Sequence, residues 1–389
     1  METNERERAA VCALNRIFGY EPAVTHRLID VLGSAAALFD LDANAKRDLL
    51  GPFSKHLSEI RTEELDRSAE ELRALGCRGY RFLCVTEEGY PPLLKECEDA
   101  PAGLYIRSDS PDGELFRPGP YIAVVGTRDI SLYGRDACRR IVEALSRSRT
   151  PPVIVSGFAL GTDIIAHAVA LECGLRTLAV LPTGITDVYP RRHWKWADRL
   201  AATPGCALLT DYPPGTEALP LNFLRRNRII AGLSQATVLI ESKAKGGGLI
   251  TAEFAFGYDR EVFALPGRMD DLRSQGCNAL IKRGLAQAIT DPDALLADLG
   301  LDAPARRTAA LLRDEIRERY AAMMNPGEVE FLVAVADCIR KNRGITPEDI
   351  ALRMNCDTVR IAAATGILEA DGIIETDLLQ GCGIRTKIG

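Results

Sequence analysis

No stretch of 18 consecutive apolar residues occurs in this 389-residue chain, so a membrane-spanning helix is not expected. The first residues, METNERERAAV, are charged and have no apolar run behind them, so a secretory leader is not expected either. Cysteine is plentiful but unpatterned. Eleven residues are scattered from Cys12 to Cys382, an odd number, with no CxxC pair and no short Cys/His cluster. That argues against a disulfide scaffold and a structural zinc site, and it fits a reducing cytoplasm. Two nucleotide signatures are also absent. There is no GxxxxGK[ST], which speaks against a P-loop ATPase, and no GxGxxG dinucleotide fingerprint. Internal repeats and low-complexity segments are lacking as well.

What is present is ordinary globular material, 47% hydrophobic and 26% charged, with length for two or three domains. The net charge of −6 is unevenly spread. Residues 121–290 carry 21 Lys+Arg against 15 Asp+Glu, whereas residues 1–120 carry 15 against 22 and residues 291–389 carry 12 against 17. An anionic partner would therefore meet the middle of the chain.

Four segments follow from the pattern. Residues 1–75 show helical apolar spacing broken by Gly19, Gly33 and Gly51-Pro52, which predicts a small helical N-terminal domain, a bundle of short helices. Residues 76–300 alternate apolar β-branched runs with helical stretches. The runs are 81–86, 121–126, 152–157, 176–182, 207–212, 236–242 and 261–267. Several are apolar almost throughout, as strands covered on both faces must be. This predicts an α/β fold with a doubly wound, mostly parallel, Rossmann-like sheet. Residues 301–326 read as a connector with some helix. Residues 327–389 read as three helices and a hairpin, a winged-helix-like domain.

In an open α/β sheet, ligands bind outside the carboxyl ends of the strands. Three such ends are rich in glycine. VVGTRD presents Gly126, Thr127 and the cation Arg128. VSGFALGTD presents Ser156, then Gly157 and Gly161 before a helix. ESKAKGGGLIT presents Lys245 and Gly246, Gly247 and Gly248 before a helix expected to start near Thr251. Glycine turns beside helix N-termini and fixed cations suit an anion. A fourth element, NFLRRNRII, clusters Arg225, Arg226 and Arg228 at an expected helix start. Cations there oppose the helix dipole, so an acidic partner or an internal carboxylate should hold them.

SGFALGTDIIAH, the YP of ITDVYP, RNRIIAGLS, GGGLITA, FALPG and SQGCNALIKRG occur in this order. Together they resemble the DprA/Smf DNA-processing protein family, closely over residues 80–290 and more loosely on both flanks. The resemblance implies an extended Rossmann fold that binds single-stranded DNA, protects incoming strands in natural transformation and loads the recombinase RecA. It implies a homodimer with no catalytic residue, metal or cofactor. The family's DNA-contacting arginine corresponds to Arg128 and its basic loop residue to Lys245. Gly126, Thr127, Ser156, Gly157, Gly161, Arg226, Arg228, Gly246, Gly247, Gly248 and Thr251 complete the implied DNA-binding set. Asp163, His167 and Asn227 are expected to fix turns and helices.

Two departures stand out. Gly246-Gly247-Gly248 replaces the family's Ser-Gly-Ser, which removes two hydroxyl donors and predicts weaker binding. Thr162 replaces an isoleucine. The RRHWKWADRL segment, with Trp194 and Trp196 among cations, could form a single-strand platform, although one tryptophan packed in the core with the other covering it is the simpler expectation. An enzymatic alternative is a nucleotide phosphoribohydrolase of the LOG or lysine-decarboxylase-like type. There Glu253 of GGGLITAE would assist glycosidic cleavage.

Overall fold

The computed structural model describes residues 3–301, 309–342, 344–376 and 381–384. Residues 302–308 of the expected connector, and residues 377–380 and 385–389 of the expected hairpin, lie outside the described residues. The chain falls into two compact units, Met1–Asp302 and Ala303–Gly389.

The first unit is built on a nine-stranded sheet. Its strands are β1 (Tyr80–Cys84), β2 (Gly103–Arg107), β3 (Tyr121–Val125), β4 (Val153–Ser156), β5 (Thr177–Val180), β6 (Ala207–Thr210), β7 (Ala236–Leu239), β8 (Glu261–Ala264) and β9 (Gln287–Ala288). They lie in the order β1-β2-β6-β5-β4-β3-β7-β8-β9. All pairs from β6 to β9 are parallel, while β2 runs antiparallel to both β1 and β6. The fold is α/β, Rossmann-like and mostly parallel. The antiparallel β2 and the two-residue β9 were not among the expected strands. Strand β9 has only two residues, and β2 lies between the turn-like segments APAG and SDSPDG.

Strands β3 to β7 are buried along their whole length, which explains why their sequences are apolar without alternation. Successive side chains still point to opposite faces. Ala123 and Val125 of β3 pack with Ile229, Ile230, Ala252 and Ala255 on one face. Ile122 and Val124 pack with Cys138, Ile141, Val169 and Ala170 on the other. The N-terminal helices share a core with sheet residues: Cys12, Leu14 and Phe18 cluster with Phe82, Tyr105, Ala179 and Leu208. The expected boundary at residue 75 therefore does not separate two cores. No disulfide joins any of the cysteines among the described residues.

Chain order runs outward from β3 through β4, β5 and β6 on one side and through β7 and β8 on the other. The switch point lies between β3 and β7, where a doubly wound sheet opens a crevice at its carboxyl edge.

The second unit has helices Ala309–Tyr320, Pro326–Lys341, Pro347–Met354 and Thr358–Ala370, then β10 (Ile374–Thr376) antiparallel to β11 (Cys382–Ile384). Its core includes Leu332, Ala336, Ile339, Ile350, Ile361 and Leu368. Among the described residues, no helix of either unit is long and apolar enough to cross a membrane.

Candidate functional site

The β3 and β7 ends are locked to one another before any ligand is considered. The Thr127 amide donates to the Glu241 carbonyl at 2.8 Å. The buried Glu241 carboxylate accepts from the Ser131 amide at 2.9 Å and the Ser131 hydroxyl at 2.5 Å. Gly134 is small because a β-carbon there would stand 2.6 Å from that carboxylate. Gly248 also packs closely here, since a β-carbon at Gly248 would lie 2.7 Å from Leu239 Cδ1 and 3.3 Å from the Gly126 Cα.

Above this junction opens a cleft of about 550 Å³. Gly126, Thr127, Arg128, Asp163, Arg226, Asn227, Lys245, Gly246, Gly247, Gly248 and Thr251 all line it, so most of the sequence-predicted set converges. Gly247 opens the Gly247–Gly257 helix, whose N-cap, Gly246, offers no side-chain cap. The helix therefore begins one turn earlier than expected, inside the glycine run, and its first N–H groups are unsatisfied by side chains. No atom lies within 4 Å of a β-carbon built at Gly247, so this backbone is open to a ligand. Asn227 Nδ2 donates to the Gly247 carbonyl at 3.2 Å and steadies the turn. Gly246 is crowded instead. Its β-carbon would stand 2.2 Å from Ser242 Oγ, so a serine at 246 would displace the hydroxyl already present on the cleft wall.

Gly161, with φ of +78°, lets the loop after β4 turn beneath the Thr127 and Arg128 carbonyls. The Thr162–Glu172 helix that follows also lacks a side-chain cap. Arg128 and Lys245 are both exposed. The Arg128 guanidinium lies 4.4 Å from the Phe223 ring centroid, a cation–π contact that leaves its N–H edges free for an acceptor. Tyr189 packs edge-on against the same Phe223 ring, with centroids 5.3 Å apart.

Three expectations need correction. Arg225, Arg226 and Arg228 do not stand at a helix start, because their helix runs Pro220–Gly232. Arg228 is 7% exposed and pairs with the Asp211 carboxylate at 2.5 Å, donating also to the Asp99 carbonyl. It is an internal anchor and not part of the cleft wall. Ser156 is fully buried, its hydroxyl donating to the Val124 carbonyl at 2.6 Å, and so ties β4 to β3.

Arg226 does line the cleft but from beneath, 3% exposed, with Nη1 donating to the Val180 carbonyl at 2.6 Å. Burial pushes its pKa down to about 10 against the pull of Asp163, so it stays charged at neutral pH. Asp163 is itself raised by burial. It takes the Ala159 amide at 3.3 Å. His167 is sealed in the core, with Nδ1 donating to Thr177 Oγ1 at 2.6 Å, while that hydroxyl donates to the Ile154 carbonyl at 2.8 Å. Burial drives its pKa down to about 3, so it is neutral.

Trp196 is half-buried against the core and Trp194 is exposed beside Lys195, and neither lines the cleft. Glu253 lines a separate groove with Glu96, Asp99 and Tyr258. Phe223, Leu224, Tyr189 and Lys243 do line the cleft and were missed. Phe223 was recoverable, since Phe223, Asn227 and Ile230 share one helical face.

The family model for DNA recombination-mediator protein A matches residues 81–300. The chain belongs to the DprA/Smf family. Protein Smf of Escherichia coli is 39% identical over 221 residues, 57% of this chain and 57% of its own length. DNA processing protein DprA of Bacillus subtilis is 35% identical over 222 residues, 57% of this chain and 72% of its own length. The chain thus spans little more than half the length of the Smf relatives it matches. The X-ray structure of DprA from Streptococcus pneumoniae superposes with a TM-score of 0.58 at 32% identity, covering 66% of this chain and 87% of that one. DprA from Helicobacter pylori, a structure described for its single-stranded DNA binding mode, gives 0.50 at 29% identity over 57% and 95%.

Proposed function

We propose that this chain binds single-stranded DNA without catalysing its conversion, holding phosphates in the cleft between β3 and β7. The observation that carries this reading is the placement of Arg128 and Lys245. Both are exposed, both lie on the wall of one cleft with an open helix N-terminus, and neither has an ion-pair partner among the described residues. Oriented amides with fixed cations bind phosphate irrespective of sequence. The DNA binding described for the Helicobacter pylori relative supports the same substrate class.

In the cell, the chain protects incoming strands during natural transformation and helps load RecA. It acts in the cytoplasm as a homodimer, without cofactor or metal. Arg226 and Asp163 support the cleft floor beneath the phosphates. The phosphoribohydrolase alternative loses its carboxylate, because Glu253 lies outside the cleft. Residues 327–389 carry seven Lys+Arg against ten Asp+Glu, which favours a protein-contact role for this winged-helix-like segment over duplex binding.

Fluorescence anisotropy with single-stranded and duplex oligonucleotides across a salt series tests the proposal. Preference for the single strand, with affinity falling steeply as salt rises, is the expected result. Equal affinity for duplex, or a flat salt response, would overturn it.

A further inference from the structure

One aromatic–cation pair lies beside the cleft without belonging to it. The Arg225 guanidinium stacks 3.6 Å from the Tyr20 ring centroid, and Tyr212 flanks that ring at 6.5 Å. Tyr20 is 58% exposed. No carboxylate among the described residues pairs with Arg225. Arg225 is only half-buried, and no carbonyl or carboxylate among the described residues answers its N–H groups. Here one planar cation is held flat by an exposed ring and keeps its donors unspent.

Exposed aliphatic side chains of one helix lie between the cleft wall and this pair. On the Pro220–Gly232 helix, Phe223 and Asn227 face the cleft, and Leu224 also lines it. At 100° per residue, Leu221 and Arg225 occupy the next face. Leu219, Leu221 and Leu224 are all substantially exposed. A ridge of aliphatic side chains, about one helix diameter or 10–12 Å across, therefore runs from the cleft lip to Arg225.

We propose that a single strand leaving the cleft crosses this ridge and stacks a further base on the outer face of the Arg225 guanidinium, with Tyr20 behind it. The in-plane N–H groups of Arg225 take the adjoining phosphate, as a planar fork does. This second nucleotide subsite rests on the single-strand reading of the cleft and assigns a DNA-contacting role to the N-terminal helical segment.

The test uses the full chain and oligothymidylates of about four and about twelve nucleotides, which bracket one site and an extended one. Tyr20→Ala and Arg225→Gln should each weaken the longer oligonucleotide about tenfold, leave the shorter one unchanged, and preserve the circular dichroism spectrum. Tyr20→Phe should bind as the parent does. In a second measurement, 5-bromouracil placed stepwise along the longer strand should photocrosslink to the peptide containing Tyr20 at one position. Unchanged affinity of both disruptive variants for the longer strand, together with no such crosslink, would overturn the subsite alone, provided Arg128→Ala still weakens both lengths. If the parent protein binds neither strand, the cleft reading fails and the subsite fails with it.

Discussion

The guanidinium of Arg226 fills the space that a side chain on Gly157 would need, with Nη1 only 2.0 Å from the position of the missing β-carbon. The glycine after β4 is thus explained by a buried cation contributed from a helix about 70 positions downstream. Gly157→Ala should displace Arg226 from the Val180 carbonyl and cost about 3 kcal/mol, combining overpacking with a disturbed buried charge. The double variant with Arg226→Ala should cost less than the sum of the two singles. Urea unfolding of the four proteins measures this, and strict additivity would count against the contact.

Arg128→Ala and Lys245→Ala should each reduce the salt slope of single-strand binding by about 0.7 and leave stability within about 0.5 kcal/mol, because both residues are on the surface. Arg128→Lys should recover only part of the loss, since an ammonium does not lie flat on Phe223 as a guanidinium does. A folded variant with the parent's slope would remove that residue from the interface.

Arg228 should behave oppositely. Asp211→Ala leaves its guanidinium buried without a counter-ion, at a cost of about 3–5 kcal/mol. The salt slope of DNA binding in the folded fraction should not change. A lowered slope with unaltered stability would restore Arg228 to the DNA-binding set.

His167 makes the protein acid-sensitive. Its pKa falls from 6.5 to about 3 on folding, so between those values the unfolded chain binds the extra proton. Its contribution is complete above pH 6.5 and is lost as pH falls toward 3. At pH 5 the loss should reach about 2 kcal/mol relative to pH 7. Urea midpoints at the two pH values give the difference, which should shrink in His167→Gln. An equal pH response in parent and variant would rule His167 out as the source.

Much of this molecule is legible before folding. The central strands announce themselves because burial on both faces demands unbroken apolar runs, and the glycine turns mark their carboxyl ends. The fate of the arginines is not legible in the same way. Arg225, Arg226 and Arg228 are chemically identical, yet a turn of the helix stacks one on Tyr20, seats one under the cleft and pairs one with Asp211. Only the phase of the helix, set by its start at Pro220, distinguishes them. Strand β2 was hidden for a different reason: GLYIR opens on the glycine that closes the turn-like APAG and runs into the loop SDSPDG, so its surroundings read as turns. The union of the N-terminal helices with the sheet depends on contacts such as Cys12 to Tyr105, 93 positions apart, which no local pattern carries.

The tie between Glu241 and Ser131 spans 110 positions of sequence. A chain emerging from the ribosome can lay down β3, β4, β5 and β6 and still lack the partner that sets the loop after β3. The cleft is completed only when β7 and the glycine turn have been synthesised and inserted beside β3. Nascent chains and truncated fragments ending before residue 241 would therefore carry Arg128 without a place to present it, and the proposed anion site would be assembled only after more than half of the chain has been made.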